Sequence, residues 1–155
     1  MTLVLLIGLQ ASGKTTFRSR IFTSPHVVVG LAESKLQGNL EQPRERAAKL
    51  LSEAFAAGRD VVVDNTNATR EERAVYLEAA KQAGYHAVGY YFRSDFKESL
   101  LRNAQRTPAE RTPDSVLKAT IKKLERPEWA EGFAELYYVY INRESQFVAE
   151  AYRKP

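Results

Sequence analysis

Eight consecutive residues, Gly8-Leu9-Gln10-Ala11-Ser12-Gly13-Lys14-Thr15, match the pattern G-x-x-x-x-G-K-[ST] at every fixed position, and the chemistry this spacing supports is the binding of a phosphate chain. Gly8 and Gly13 let the backbone close around phosphate oxygens, and backbone N–H groups from Gln10 to the helix start point at the anion. Lys14 reaches the β- and γ-phosphates, and the Thr15 hydroxyl is an oxygen ligand for Mg²⁺. Thr16, next in line, joins this nucleotide-binding set or is a plain first-turn residue. Asp64 follows the apolar run Val61-Val62-Val63, which places a carboxylate at the C-terminal end of a buried strand, the edge where open α/β sheets bind ligands. There it holds Mg²⁺ or its water; alternatively it opens the turn Asn65-Thr66-Asn67 and caps the helix beginning near Arg70.

These groups need a sheet and helices to position them. Residues 3–7, 27–29 and 61–63 are continuous β-branched or aliphatic runs, as expected of strands buried on both faces of a parallel sheet, and 86–92 and 136–141 are two further candidates. Between them the spacing predicts helices over 14–22, 43–57 (ended by Gly58), 70–83 (ended by Gly84) and 96–106. Alternating strand and helix means α/β with right-handed crossovers. Residues 107–129 turn polar and charged, reading as a loop and a basic helix over 115–124, and 142–153 reads as a final amphipathic helix. There is no internal repeat or linker, so residues 1–155 are expected to form one domain.

Composition narrows the class. A chain of 155 residues buries roughly 70% of its unfolded surface, enough for one core. With no cysteine there is no disulfide framework, thiolate zinc site or Cys nucleophile. The apolar N-terminal run stops at Gly8, too short for a signal peptide or membrane span; no membrane partner and a cytoplasmic setting are expected.

The sequence resembles the P-loop kinase domain of the polynucleotide 5′-hydroxyl kinase family, with zeta-toxin and AAA-like small P-loop kinases as the wider group. The likeness rests on the loop 8–15, on Val61-Val62-Val63-Asp64-Asn65-Thr66-Asn67 with Arg70 and Arg73 following, on Tyr90-Tyr91-Phe92 leading to Arg102 and Arg106, and on Leu124-Glu125-Arg126-Pro127 with Glu131-Gly132-Phe133. It implies a nucleoside-monophosphate-kinase-like three-layer sandwich, with a five-stranded parallel sheet and a helical lid over about 93–126. It also implies ATP (or another NTP) and Mg²⁺ as cofactors, Arg102 and Arg106 on the ATP phosphates, Asp64, Asn67 and Arg70 on the substrate side, and a nucleic-acid 5′-OH end as acceptor. After its second strand the family places Asp-x-x-Arg, the Asp as general base and the Arg on the acceptor phosphate. Here the segment reads Val29-Gly30-Leu31-Ala32-Glu33-Ser34-Lys35-Leu36. Aligning Lys35 with the Arg leaves Ala32 in the place of the Asp and Glu33 one position late, so Glu33 is either a displaced base or an exposed loop acid. Two other functions fit the same scaffold: a kinase for a nucleoside, sugar or antibiotic, and a nucleotide-binding module or weak NTPase that has lost acceptor chemistry.

Arg102 and Arg106, spaced i, i+4, are expected on one helix face as cations for the moving phosphoryl group, with Arg111 a weaker candidate. Arg70 and Arg73 open a helix, where an acceptor phosphate or surface pairs with Glu71 and Glu72 would explain them. His26 and His86 start strands without partnering acids and read as capping or packing residues. Tyr137, Tyr138 and Tyr140 read as the last strand, and Trp129 as a stacking residue or an anchor for the lid. Residues 93–126 hold nine basic and five acidic residues, which is the whole +4 net charge of the chain.

Overall fold

The computed structural model describes residues 1–30 and 43–155. Six strands form one sheet: β1 (Thr2–Ile7), β2 (Val27–Val29), β3 (Val61–Asp64), β4 (His86–Phe92), β5 (Glu135–Ile141) and β6 (Phe147–Ala151), in the order β2-β3-β1-β4-β5-β6. The first five pair in parallel, and β6 runs antiparallel to β5. The helices are α1 (Lys14–Ile21), α2 (Pro43–Ala56), α3 (Arg70–Gln82), α4 (Phe96–Ala104) and α5 (Asp114–Lys123), with a 3₁₀ turn at Trp129–Glu131.

The apolar runs lie on both faces of the sheet. Leu3, Leu5 and Ile7 of β1 join Ala47, Leu51, Leu77 and Ala80 of α2 and α3 on one side. Val4 and Leu6 join Phe17 of α1 and Phe92 on the other. Strands packed on both faces have no solvated side, which is why their sequences are continuous rather than alternating.

The last element departs from expectation. Residues 142–153 form a hairpin turn and β6, not a helix, so the sheet has a sixth, antiparallel strand beyond the five parallel ones. The turn fixes the outcome: Asn142 Oδ1 accepts from the amides of Glu144 (3.0 Å) and Gln146 (2.9 Å), and Ser145 takes φ 59°. Side-chain capping of a tight turn by Asn reverses the chain locally, and β6 then covers the edge that β5 would leave open. Tyr137, Tyr138 and Tyr140 are all half-buried on β5, now an inner strand; Tyr140 donates to Glu150 across it at 3.0 Å. Trp129 packs against the α2–α3 core and its Nε1 donates to the Arg153 carbonyl, an anchor rather than an open stacking surface. His86 does have an acid partner, Glu135, at 2.7 Å, because β4 and β5 begin side by side.

Candidate functional site

The loop after β1 is held from three sides. Gly8 N–H donates to Thr66 O at 2.9 Å, Leu9 N–H to Ser94 Oγ at 3.0 Å, and Gln10 Nε2 to Thr120 Oγ1 of α5 at 3.0 Å. Ala11 at φ 58° and Gly13 at φ 97° turn the chain through the left-handed region. The left-handed φ favours glycine at position 13, and a Cβ there would press on the Phe147 ring at 3.2 Å. Helix α1 starts immediately after, with no side-chain cap and no acid in its first turn among the described residues. Its N–H groups and dipole therefore face the loop unneutralised, as anion binding requires. Ser12 is buried, while Thr15 and Thr16 are exposed.

Lys14 is buried beneath the loop and folds back on it, donating to Gly8 O at 3.0 Å and Leu9 O at 2.6 Å. Burial pulls its pKa down to about 8, opposed by the Asp64 charge and aided by the Arg106 charge. The side-chain oxygen Oε1 of Gln10 is buried without a hydrogen-bond partner among the described residues, a polar group of the loop still to be satisfied.

Asp64 ends β3 at the level of Leu6, one residue short of the loop entry. Its Oδ2 accepts from Thr15 Oγ1 and from Arg18 Nε, each at 3.0 Å. It does not cap α3; Thr69 does, its Oγ1 accepting from Glu72 N–H at 3.1 Å. The Thr15 hydroxyl and Asp64 carboxylate are the oxygen donors a hard divalent cation takes, and they already converge. Among the described residues no three His, Cys, Asp or Glu side chains form a metal cluster, so such an ion would complete its sphere from nucleotide phosphates and water.

Arg102 and Arg106 do not share a helix face, because α4 ends at Ala104 and Arg106 N–H bonds to Asn103 O in the turn beyond it. Arg102 still reaches the loop. Arg102 Nη1 lies 3.5 Å from Ala11 O with Glu98 3.7 Å away, and Arg106 is close enough to Lys14 to disfavour its charge. Arg111 donates instead to Ala104 O and Arg106 O, holding that turn.

On the other side, Asn67 (φ 44°) is buried, its amide donating to Leu6 O at 2.7 Å, so it ties the turn to β1. Arg70 is exposed and pairs with Glu128 at 2.6 Å. Arg73 is fully buried, gripping Glu131 through two bonds of 2.7 and 2.9 Å and donating to the carbonyls of Asn67 and Glu125. Of the two readings of these arginines, the surface pairs with Glu71 or Glu72 do not form, because both side chains turn towards the 125–131 segment. Glu33 and Lys35 lie outside the described residues. Arg18 was not foreseen; its place one turn after Thr15 on α1 was the available signal.

The chain superposes on Kti12 of Chaetomium thermophilum, solved with ADP-AlF3, with a TM-score of 0.62 and 17% identity over 92% of each chain. With a sugar kinase of Janibacter sp. the TM-score is 0.63 and the identity 16%, over 89% of this chain and 85% of that one. A chain of AvrRxo1-ORF1:-ORF2 solved with ATP gives 0.67 and 17%, over 96% of this chain and 57% of that one. At these identities the likeness is one of fold. A family model described as an AAA domain matches residues 3–127. The match runs from the first strand through the phosphate loop and Asp64 to the end of the basic segment, and the chain belongs to the AAA domain family.

Proposed function

We propose that the protein is an ATP-dependent kinase that moves the γ-phosphoryl group to a hydroxyl, with the 5′-OH of a polynucleotide as the favoured acceptor. The observation that carries this is the meeting of three groups at one loop: Lys14, buried against the Gly8 and Leu9 carbonyls, Asp64, whose Oδ2 accepts from Thr15 at 3.0 Å, and Arg102, with Nη1 3.5 Å from Ala11 O. Phosphoryl transfer asks a protein mainly to position groups and neutralise charge, and the solved neighbours bound to ADP-AlF3 and ATP support a nucleotide here.

Lys14 leaves its loop carbonyls for the phosphate oxygens, and Arg102 and Arg106, on the 93–126 segment acting as a lid, neutralise the transferring group. Thr15 and Asp64 would hold Mg²⁺, which supplies charge neutralisation at the phosphates when bound. Glu33 takes the proton of the acceptor hydroxyl as its oxygen bonds to phosphorus and the bond to the departing nucleoside diphosphate breaks, while Lys35 and Arg70 bind the acceptor. A module that has lost transfer draws support from Ala32, where the resemblance expects an Asp.

The test is incubation with γ-labelled ATP, Mg²⁺ and separate acceptors: a 5′-hydroxyl oligonucleotide, nucleosides, sugars, or none. Label on the oligonucleotide is expected, and label only in free phosphate would reject every kinase reading. Lys14→Ala should lower turnover about 100-fold or more, and Glu33→Gln should stop transfer while nucleotide still binds.

A further inference from the structure

One oxygen of Asp64 carries two donors. Oδ2 accepts from Thr15 Oγ1 and Arg18 Nε, both at 3.0 Å, which uses both lone pairs of that atom. The pair is shielded, with Asp64 10% and Arg18 18% exposed, so its attraction is stronger than that of a surface pair. Arg18 follows Thr15 by three positions on α1, and the same helix face offers both hydroxyl and cation to the end of β3.

A divalent ion held between Thr15 and Asp64 would draw on the same carboxylate. Thr15 can share it, because a hydroxyl that turns its proton aside still offers lone pairs to a cation. Arg18 offers only N–H groups and positive charge, so both its bond to the carboxylate and its charge oppose an ion there.

Resting on the nucleotide-binding reading above, we infer that Arg18 is a built-in rival of the divalent cation for Asp64 and sets the metal concentration at which the nucleotide site fills. It is a positioning residue: it holds the carboxylate against α1 until the ion replaces it.

The test measures ADP binding by calorimetry while Mg²⁺ is titrated, with direct Mn²⁺ binding followed by electron paramagnetic resonance. Arg18→Gln should lower the half-saturating Mg²⁺ about tenfold, within the usual range for coupled neighbours, and Arg18→Lys, which keeps a cation beside Oδ2, should stay near wild type. Arg18→Met retains the aliphatic stem and carries the same reading if the Gln variant unfolds. A merely structural role would instead shift ADP affinity equally with and without metal. That result, or a half-point that is unchanged or raised, overturns the proposal. Absence of ADP binding in the wild-type protein would overturn the nucleotide reading itself, whereas binding with a metal half-point indifferent to residue 18 removes only the role of Arg18.

Discussion

Lys14 is where burial and function meet. Its pKa of about 8 means that the ammonium begins to lose its proton just above neutrality, whereas a bound phosphate chain would hold the proton on. Nucleotide affinity should therefore be flat below about pH 8 and fall by up to about tenfold per unit above it, with proton uptake on binding. Calorimetry in buffers of different ionisation enthalpy measures both. Arg106→Gln removes a repulsive charge and should move the break to higher pH; a break that does not move would separate Arg106 from the loop. For folding the sign is opposite in use: the unfolded chain holds this proton up to about 10.5. Lys14 therefore lowers stability below about pH 8, and the penalty is relieved as pH rises from there towards 10.5.

At the scale of elements, the turn after β3 and the segment after α5 are fastened to each other. Arg73 of α3 grips Glu131 and the carbonyl of Glu125, Glu125 N–H bonds to Ala68 O at 2.8 Å, and Lys123 pairs with Glu72 at 2.6 Å. Glu131→Gln leaves the fully buried Arg73 guanidinium without its counter-charge and should destabilise the protein by about 3–5 kcal/mol in urea unfolding; a loss under about 1 kcal/mol would refute the role of this pair as a buried brace. None of this was legible in the sequence, where an arginine beside two glutamates on a helix reads as a surface residue and its partner lies 58 positions away. The loop and Asp64 were legible because their signals are local: a fixed motif and an acid ending an apolar run. The hairpin escapes a helical reading for a related reason. Phe147 and Val148 favour a strand but are too short a run to set it alone, and the decision lies with Asn142, whose bonds to two amides mark a turn between two apolar runs.

Across the whole molecule, the charge is unevenly placed. The +4 of the chain resides in residues 93–126, and this segment touches the phosphate loop through Thr120 and Arg102. Among the described residues no helix is long and apolar enough to cross a membrane. Lys118 and Lys122 are exposed on α5. If the acceptor is a polynucleotide, its affinity should fall steeply with salt. Lys118→Glu with Lys122→Glu should then reduce the log–log slope by about 1 for each phosphate no longer neutralised, with little change in ADP binding. Equal slopes in the two proteins, measured by oligonucleotide anisotropy, would place the polyanion elsewhere.

The buried lysine also makes the protein chemically addressable. With a pKa of about 8 rather than 10.5, Lys14 is about 300 times richer in free amine at pH 7 than an ordinary lysine. A small aldehyde or activated ester that can enter the loop would thus find Lys14 the preferred nucleophile among the described lysines, and a bound nucleotide would shield it.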